Sequence, residues 1–153
     1  MKLQKATMCG LYATLELAAH GGAPLPASEI AAKYSISLNH LAKVLRALVR
    51  ARLAESVRGA AGGYRFCGNP KRGTLLDIIA LFEDFPGDEP DAPGGGPGGM
   101  KALGGVLREI DEITIATLRS VSIATLLNII EKQGRGGPNA AEASPGGLAA
   151  AGE

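Results

Sequence analysis

Apolar residues return at helical spacing through the first third of the chain. Met8, Leu11, Tyr12, Leu15 and Ala19 share one face of a first helix, and His20-Gly21-Gly22 ends it. Pro24 and Pro26 mark a turn. Ser28, or Ala27 before it, is placed near the N-cap of a short second helix that runs to Tyr34. After the break Ser35-Ile36-Ser37, Ser37 is positioned to cap a third helix, LNHLAKVLRALVRARL. There the two kinds of residue separate most sharply. Leu38, Leu41, Leu45, Leu48 and Val49 predict a core-facing stripe, and Asn39, Lys43, Arg46 and Arg50 an outward one. Periodicity then drops to that of strands. Ala54–Arg58 reads as one strand, Gly59-Ala60-Ala61-Gly62 as a turn, and Gly63–Cys67 as the return.

Further on, Thr74 introduces a fourth helix over Leu75–Phe85, with Asp77 completing a shortened capping box. Residues 86–99, PGDEPDAPGGGPGG, hold ten Gly or Pro in fourteen positions and describe an acidic loop without a packing face. From about Lys101 to Ser120 a fifth helix carries Leu103, Val106, Leu107, Ile110, Ile113, Thr117 and Leu118 on one broad stripe, wide enough to bury against another helix. Ser122 is placed to cap Ile123–Glu131, whose Leu126, Leu127 and Ile130 are set to dock on the first domain. The organisation expected is a domain over 1–85, a loop over 86–100, helices over 101–133, and a disordered tail over 134–153.

Charge gives this pattern a direction. Up to Leu75 there are eleven Lys/Arg against three Glu, whereas the remainder has five bases and twelve acids. A basic half points to a polyanion. A short helix, a three-residue break and a second, basic amphipathic helix form a helix-turn-helix, whose second helix enters a major groove. A hairpin directly after it is a wing. Arg58 at its tip is placed to reach a minor groove, while Gly62 and Gly63 allow close approach to phosphates. Lys43, Arg46, Lys71 and Arg72 are the candidate phosphate contacts. Ser37, Asn39 and His40 are candidates for base edges or phosphates, and Ser28 joins the DNA-facing set. Tyr64 is expected to pack on the third helix rather than stack on a base.

The remaining chemistry is sparse. Cys9 and Cys67 make no disulfide framework. Each is read as a compact packed side chain, with a redox role as the alternative. Neither His20 nor His40 has metal-site spacing. No catalytic constellation is present, so an enzyme is not expected. Without a secretory pattern or an apolar run of membrane length, the expected setting is the cytoplasm, with no membrane partner.

Several stretches carry a resemblance: MKL at the start, LYATLELA, ISLNHLAKVLRALVRARLAESVRGAAGGY, TLLDIIALFE, and downstream EIDEITIATLRSVSIATLL. Together they are similar to the Rrf2 family of bacterial winged helix-turn-helix transcription regulators. The resemblance implies a mainly α fold with a small β-hairpin wing and a long dimerisation helix. It implies a homodimer, acting on a palindromic operator in double-stranded DNA, with Leu103, Val106, Leu107, Ile110, Ile113 and Leu118 at the subunit contact. Where the family often has Pro-Gly-Gly-Gly, this chain has Ala60-Ala61-Gly62-Gly63; His40 replaces a common Tyr, and Ala42 a Glu that tunes sequence choice. Many members hold an iron–sulfur cluster on three close cysteines before the long helix. Residues 86–99 contain none, so no cofactor is expected. In a few relatives a first-helix residue assists cofactor binding across the dimer, which makes Cys9 the residue to watch. The expectation is a regulator, as a repressor, of unassigned effector. The alternatives are a thiol- or metal-responsive sensor gated by Cys9 and Cys67, and a dimerisation module that has lost DNA binding.

Overall fold

A computed structural model of the chain describes residues 2–85 and 98–135. The elements in order are α1 (Lys5–Ala19), α2 (Ala27–Tyr34), α3 (Leu38–Arg50), β1 (Ala54–Val57), β2 (Gly63–Phe66), α4 (Leu75–Ile79), α5 (Gly98–Ser120) and α6 (Ile123–Arg135). This is the expected class: mainly helical, with one antiparallel hairpin, β1–β2.

The core forms where α1, α2 and α3 pack together and are closed by α4 and the start of α6. Leu17, Ile30, Leu41, Leu45, Leu48, Ile78 and Ile123 are fully buried there. On α3 the buried set is Leu41, Val44, Leu45 and Leu48. Val44 belongs to the stripe, and Leu38, expected in it, is 53% exposed. Periodicity gives the direction in which Leu38 points, but at the first residue of the helix no neighbouring element covers it.

Other boundaries shift for identifiable reasons. Leu25 pairs with Tyr64 in an isolated bridge, which leaves Pro26 extended as the α2 N-cap and puts Ser28 one residue inside the helix. Neither Ala27 nor Ser28 caps it. α4 stops at Ile79 rather than Phe85, and the residues after it bring Glu83 to the start of α1. The Glu83 carboxylate accepts from Gln4 N (2.7 Å), Gln4 Nε2 (3.2 Å) and Thr7 Oγ1. The capping box on α4 is present: Thr74 Oγ1 accepts from Asp77 N at 3.3 Å, and Thr74 N donates to Asp77 Oδ2 at 2.8 Å.

α5 starts at Gly98, so residues 98–100 of the expected loop are helical, and 86–97 lie outside the described residues. α6 runs past Glu131 to Arg135; the rest of the expected tail, 136–153, lies outside them too. The α5–α6 corner is tied to the segment before α4. Leu75 N donates to Val121 O (2.9 Å), Ile123 N to Gly73 O (2.9 Å) and Ala124 N to Pro70 O (2.8 Å). Ile123 is therefore the buried anchor of α6, with Leu127 packed behind it. Ile130 does not dock and is about half exposed. One further helical turn carries it beyond the core.

Candidate nucleic-acid interface

The exposed face of α3 is the centre of the interface. Ser37 Oγ accepts from His40 N (3.3 Å), satisfying one of the free amides at the start of the helix. Asn39, Lys43, Arg46 and Arg50 follow on the solvent side and are all exposed. His40 is half-buried, and its Nε2 lies inside the protein without a partner. That nitrogen is therefore not placed to reach a base edge or a phosphate, although the residue as a whole is partly exposed.

Beside α3 stands the wing. Its register pairs Glu55 with Arg65, Ser56 with Tyr64 and Val57 with Gly63. Tyr64 also exchanges backbone hydrogen bonds with Leu25, at 2.8 and 2.9 Å, so β2 is fastened near the turn end of the hairpin to the segment leading into α2. Gly63 makes this possible. A Cβ there would lie 2.4 Å from Leu25 O, and its φ is +154°. A Cβ on Gly62 would lie 2.4 Å from Val57 O. Gly62 thus has a packing reason within the hairpin, and Gly63 one against the segment leading into α2. Arg58 is exposed immediately after β1, where Gly62 N donates to Gly59 O (3.0 Å) to close the tip.

Lys71 and Arg72 are exposed on a turn built by Asn69. Its side-chain oxygen accepts from Lys71 N (3.0 Å), and its carbonyl from Arg72 N (3.1 Å) and Gly73 N (2.7 Å). The turn is the one held by α6, so these cations have a fixed base. Ser28 is exposed at the start of α2.

Charge pairing separates the candidate contacts from two nearby cations. Lys33 pairs with Glu16, and Arg65 with Glu55 across the hairpin. Among the described residues, Lys43, Arg46, Arg50, Arg58, Lys71 and Arg72 have no ion-pair partner. Lys43, Arg46 and Arg50 converge with Val49, Ser56 and Tyr64 on a cleft of about 520 Å³ between α3 and the wing. Tyr64 lines it together with the α3 residues. Ser28, Arg58, Lys71 and Arg72 do not line the cleft. Val49 and Ser56 are contributors that sequence reasoning missed; alternation along β1, which puts Ser56 outward, was the available signal.

The thiols have separate settings. Cys9 is 2% exposed, and burial raises its pKa against a smaller opposing effect of Lys5. Cys67 is exposed at the end of the wing, with Sγ donating to Arg52 O at 3.3 Å. Desolvation and the Glu55 carboxylate raise its pKa, against Arg65. In both cases the shift is away from the thiolate, the form that attacks or binds metal. Among the described residues no group of three His, Cys, Asp or Glu is arranged to hold a metal ion. Residues 86–97 contain no Cys or His. The donor set does not fit an iron–sulfur cluster, which needs thiolates or imidazoles in one place.

Along α5, Leu103, Val106, Leu107, Ile110 and Ile113 are each more than half exposed, and Leu118 is half-buried. Thr117, on the same stripe, is exposed and donates to Ile113 O (2.8 Å). Among the described residues, packing within one chain, the alternative for this stripe, does not cover it. None of the described helices is long and apolar enough to cross a membrane.

Three comparisons bear on this arrangement. The family model Rrf2, described as an iron-dependent transcriptional regulator, matches residues 3–129. BadM of Rhodopseudomonas palustris, whose name assigns it to the HTH-type transcriptional regulators, is 63% identical over 146 residues, 94% of each chain. Among solved structures, CymR, the global cysteine regulator of B. subtilis, superposes with a TM-score of 0.72 at 27% identity, over 84% of this chain and 98% of that one. IscR of T. potens gives 0.66 at 27% identity, over 87% and 90%.

Proposed function

Because the chain belongs to the Rrf2 family of DNA-binding transcriptional regulators, we propose that it represses transcription as a homodimer on a palindromic operator. The observation that carries this reading is the row of exposed, unpaired cations on α3, with Arg58 after β1 and Lys71 and Arg72 on their turn likewise exposed and unpaired. Unpaired cations on one surface are what a phosphate backbone neutralises, and the released counterions supply most of the affinity. Lys43, Arg46, Arg50, Lys71 and Arg72 take phosphates. Asn39, next to the N-terminus of α3, reads a base edge in the major groove, and Arg58 enters the minor groove. Ser37 keeps its hydroxyl on its own helix and offers its remaining hydrogen-bonding capacity to a phosphate.

Dimerisation supplies the second half-site. An apolar stripe of five large side chains left in water on α5 is unfavourable, and the same stripe of a second copy covers it. The two α3 helices then address half-sites about one helical turn, ~34 Å, or a multiple of it apart. No iron–sulfur cluster enters the mechanism, because the residues present do not form its ligand set.

The test is fluorescence anisotropy on a labelled operator recovered by footprinting. With six or more phosphates neutralised, affinity falls roughly 10³-fold or more between 50 and 200 mM salt. Arg46→Ala lowers the salt slope by about 1, and Arg58→Ala weakens operator binding by about 1–3 kcal/mol. A flat salt response overturns the phosphate reading, and an unchanged Arg58→Ala removes the wing from the interface.

A further inference from the structure

We infer that the cleft between α3 and the wing is a small-molecule site for an organic anion with a flat apolar body, and that its occupant and DNA exclude one another. The exclusion rests on the DNA reading above; the binding of the anion does not. At about 520 Å³ the cleft lies within the range of ordinary ligand pockets. Its composition has two parts. Lys43, Arg46 and Arg50 bring three cations without a carboxylate among the described residues to balance them. Val49 and the Tyr64 side chain supply apolar wall, and the Ser56 hydroxyl stands on the strand opposite α3.

A phosphodiester chain uses the cations and leaves the apolar wall without a matching partner. A small inorganic anion does the same. An anion joined to an aromatic body uses both parts. Its head lies among the cations, its flat face against the Tyr64 ring and Val49, and guanidinium planes stack well on aromatic faces. Removing that face from water adds affinity that charge alone does not provide. Because Lys43, Arg46 and Arg50 are the cations assigned to phosphates, an occupied cleft has neutralised part of the DNA-binding face. Such a ligand releases the protein from its operator without a conformational change.

The probe is 2-naphthoate, titrated calorimetrically into the full-length protein, with acetate at equal concentration as the control for charge and ionic strength. Saturable binding at one site per chain is expected, with no saturable heat from acetate. In operator anisotropy, naphthoate at ten times its own Kd raises the apparent Kd for DNA about tenfold, as direct competition requires. Val49→Ser, which trims the wall and touches no assigned DNA contact, weakens naphthoate roughly three- to fivefold while leaving operator affinity within twofold. Ser56→Asp is the second variant. It puts a carboxylate into the cleft from an exposed strand position and abolishes the naphthoate heat. The inference is overturned if the protein binds its operator yet gives no saturable heat with naphthoate. Equal displacement by acetate, or unchanged naphthoate affinity in both variants, also overturns it. If naphthoate binds but no duplex does, the DNA reading and the exclusion fail together and the small-molecule site stands.

Discussion

Substituting Gly63 by alanine tests how the wing is held against the helix-turn-helix. The added Cβ would lie 2.4 Å from Leu25 O and 2.6 Å from Leu25 C, both backbone atoms that no rotamer change can move. To make room, β2 has to separate from Leu25 and lose the two hydrogen bonds between Tyr64 and Leu25, at 2.8 and 2.9 Å. Each contributes about 1 kcal/mol net, so the lost pairing costs about 2 kcal/mol. The residue's φ of +154° adds about 1–2 kcal/mol for any L side chain. Gly59→Ala is the internal control. Gly59 has φ +113°, but a Cβ added there would meet nothing within 4 Å, so only the backbone cost applies. The expected difference between the two variants is therefore about 2 kcal/mol. It is read from urea unfolding followed by far-UV circular dichroism at one fixed protein concentration. With a slope of about 2 kcal/mol/M, the midpoints separate by about 1 M. Operator affinity drops in parallel for Gly63→Ala, because Arg58 is delivered by the same hairpin. Equal midpoints for the two variants would refute the claim that the Leu25–Tyr64 pairing fixes the wing.

Three further outcomes follow from particular contacts. Ile110→Asp places a charge in the middle of the exposed α5 stripe, and sedimentation is expected to change from dimer to monomer; a wild-type monomer, or a variant that stays dimeric, would sink the proposed interface. Thr74→Ala removes one side of the α4 capping box and is expected to cost about 1 kcal/mol in urea unfolding, with no loss arguing that the box is dispensable. Glu83 has its pKa lowered by hydrogen bonds from Thr7 and from the Gln4 amide, so its folded value lies below its unfolded one, near 4.5. Its contribution is present above about pH 4.5 and is lost as pH falls through the folded value. Glu83→Gln should accordingly flatten the acid limb of the stability curve, and an identical limb would show that the α1 clamp has no electrostatic part.

Much of the interface was legible because its determinants are local. The 39/43/46/50 row needs only a helix of the right phase, and the helix needs only a Ser37 cap and apolar residues at i, i+3 and i+4. The hairpin needs a four-residue turn with glycine where the backbone closes on itself. Leu38 and Ile130 were misjudged for a shared reason. Phase places a residue on a face, but whether that face is covered depends on how far the neighbouring elements extend, and both lie at or past the end of the packed core. The burial of His40 Nε2 was not legible either, since it is decided by what packs beneath the start of α3.

The order of elements, the charge split between the halves, the two amphipathic helices and the absence of clustered thiols are properties of the sequence alone, because each follows from spacing or residue type. Only the tertiary structure decided that Leu25 would be a third partner to the hairpin, that α6 would hold the Lys71–Arg72 turn, and that Val49, Ser56 and Tyr64 would meet three unpaired cations in one cleft. These are contacts between residues far apart in the chain. They depend on the relative placement of packed elements, which no local pattern encodes.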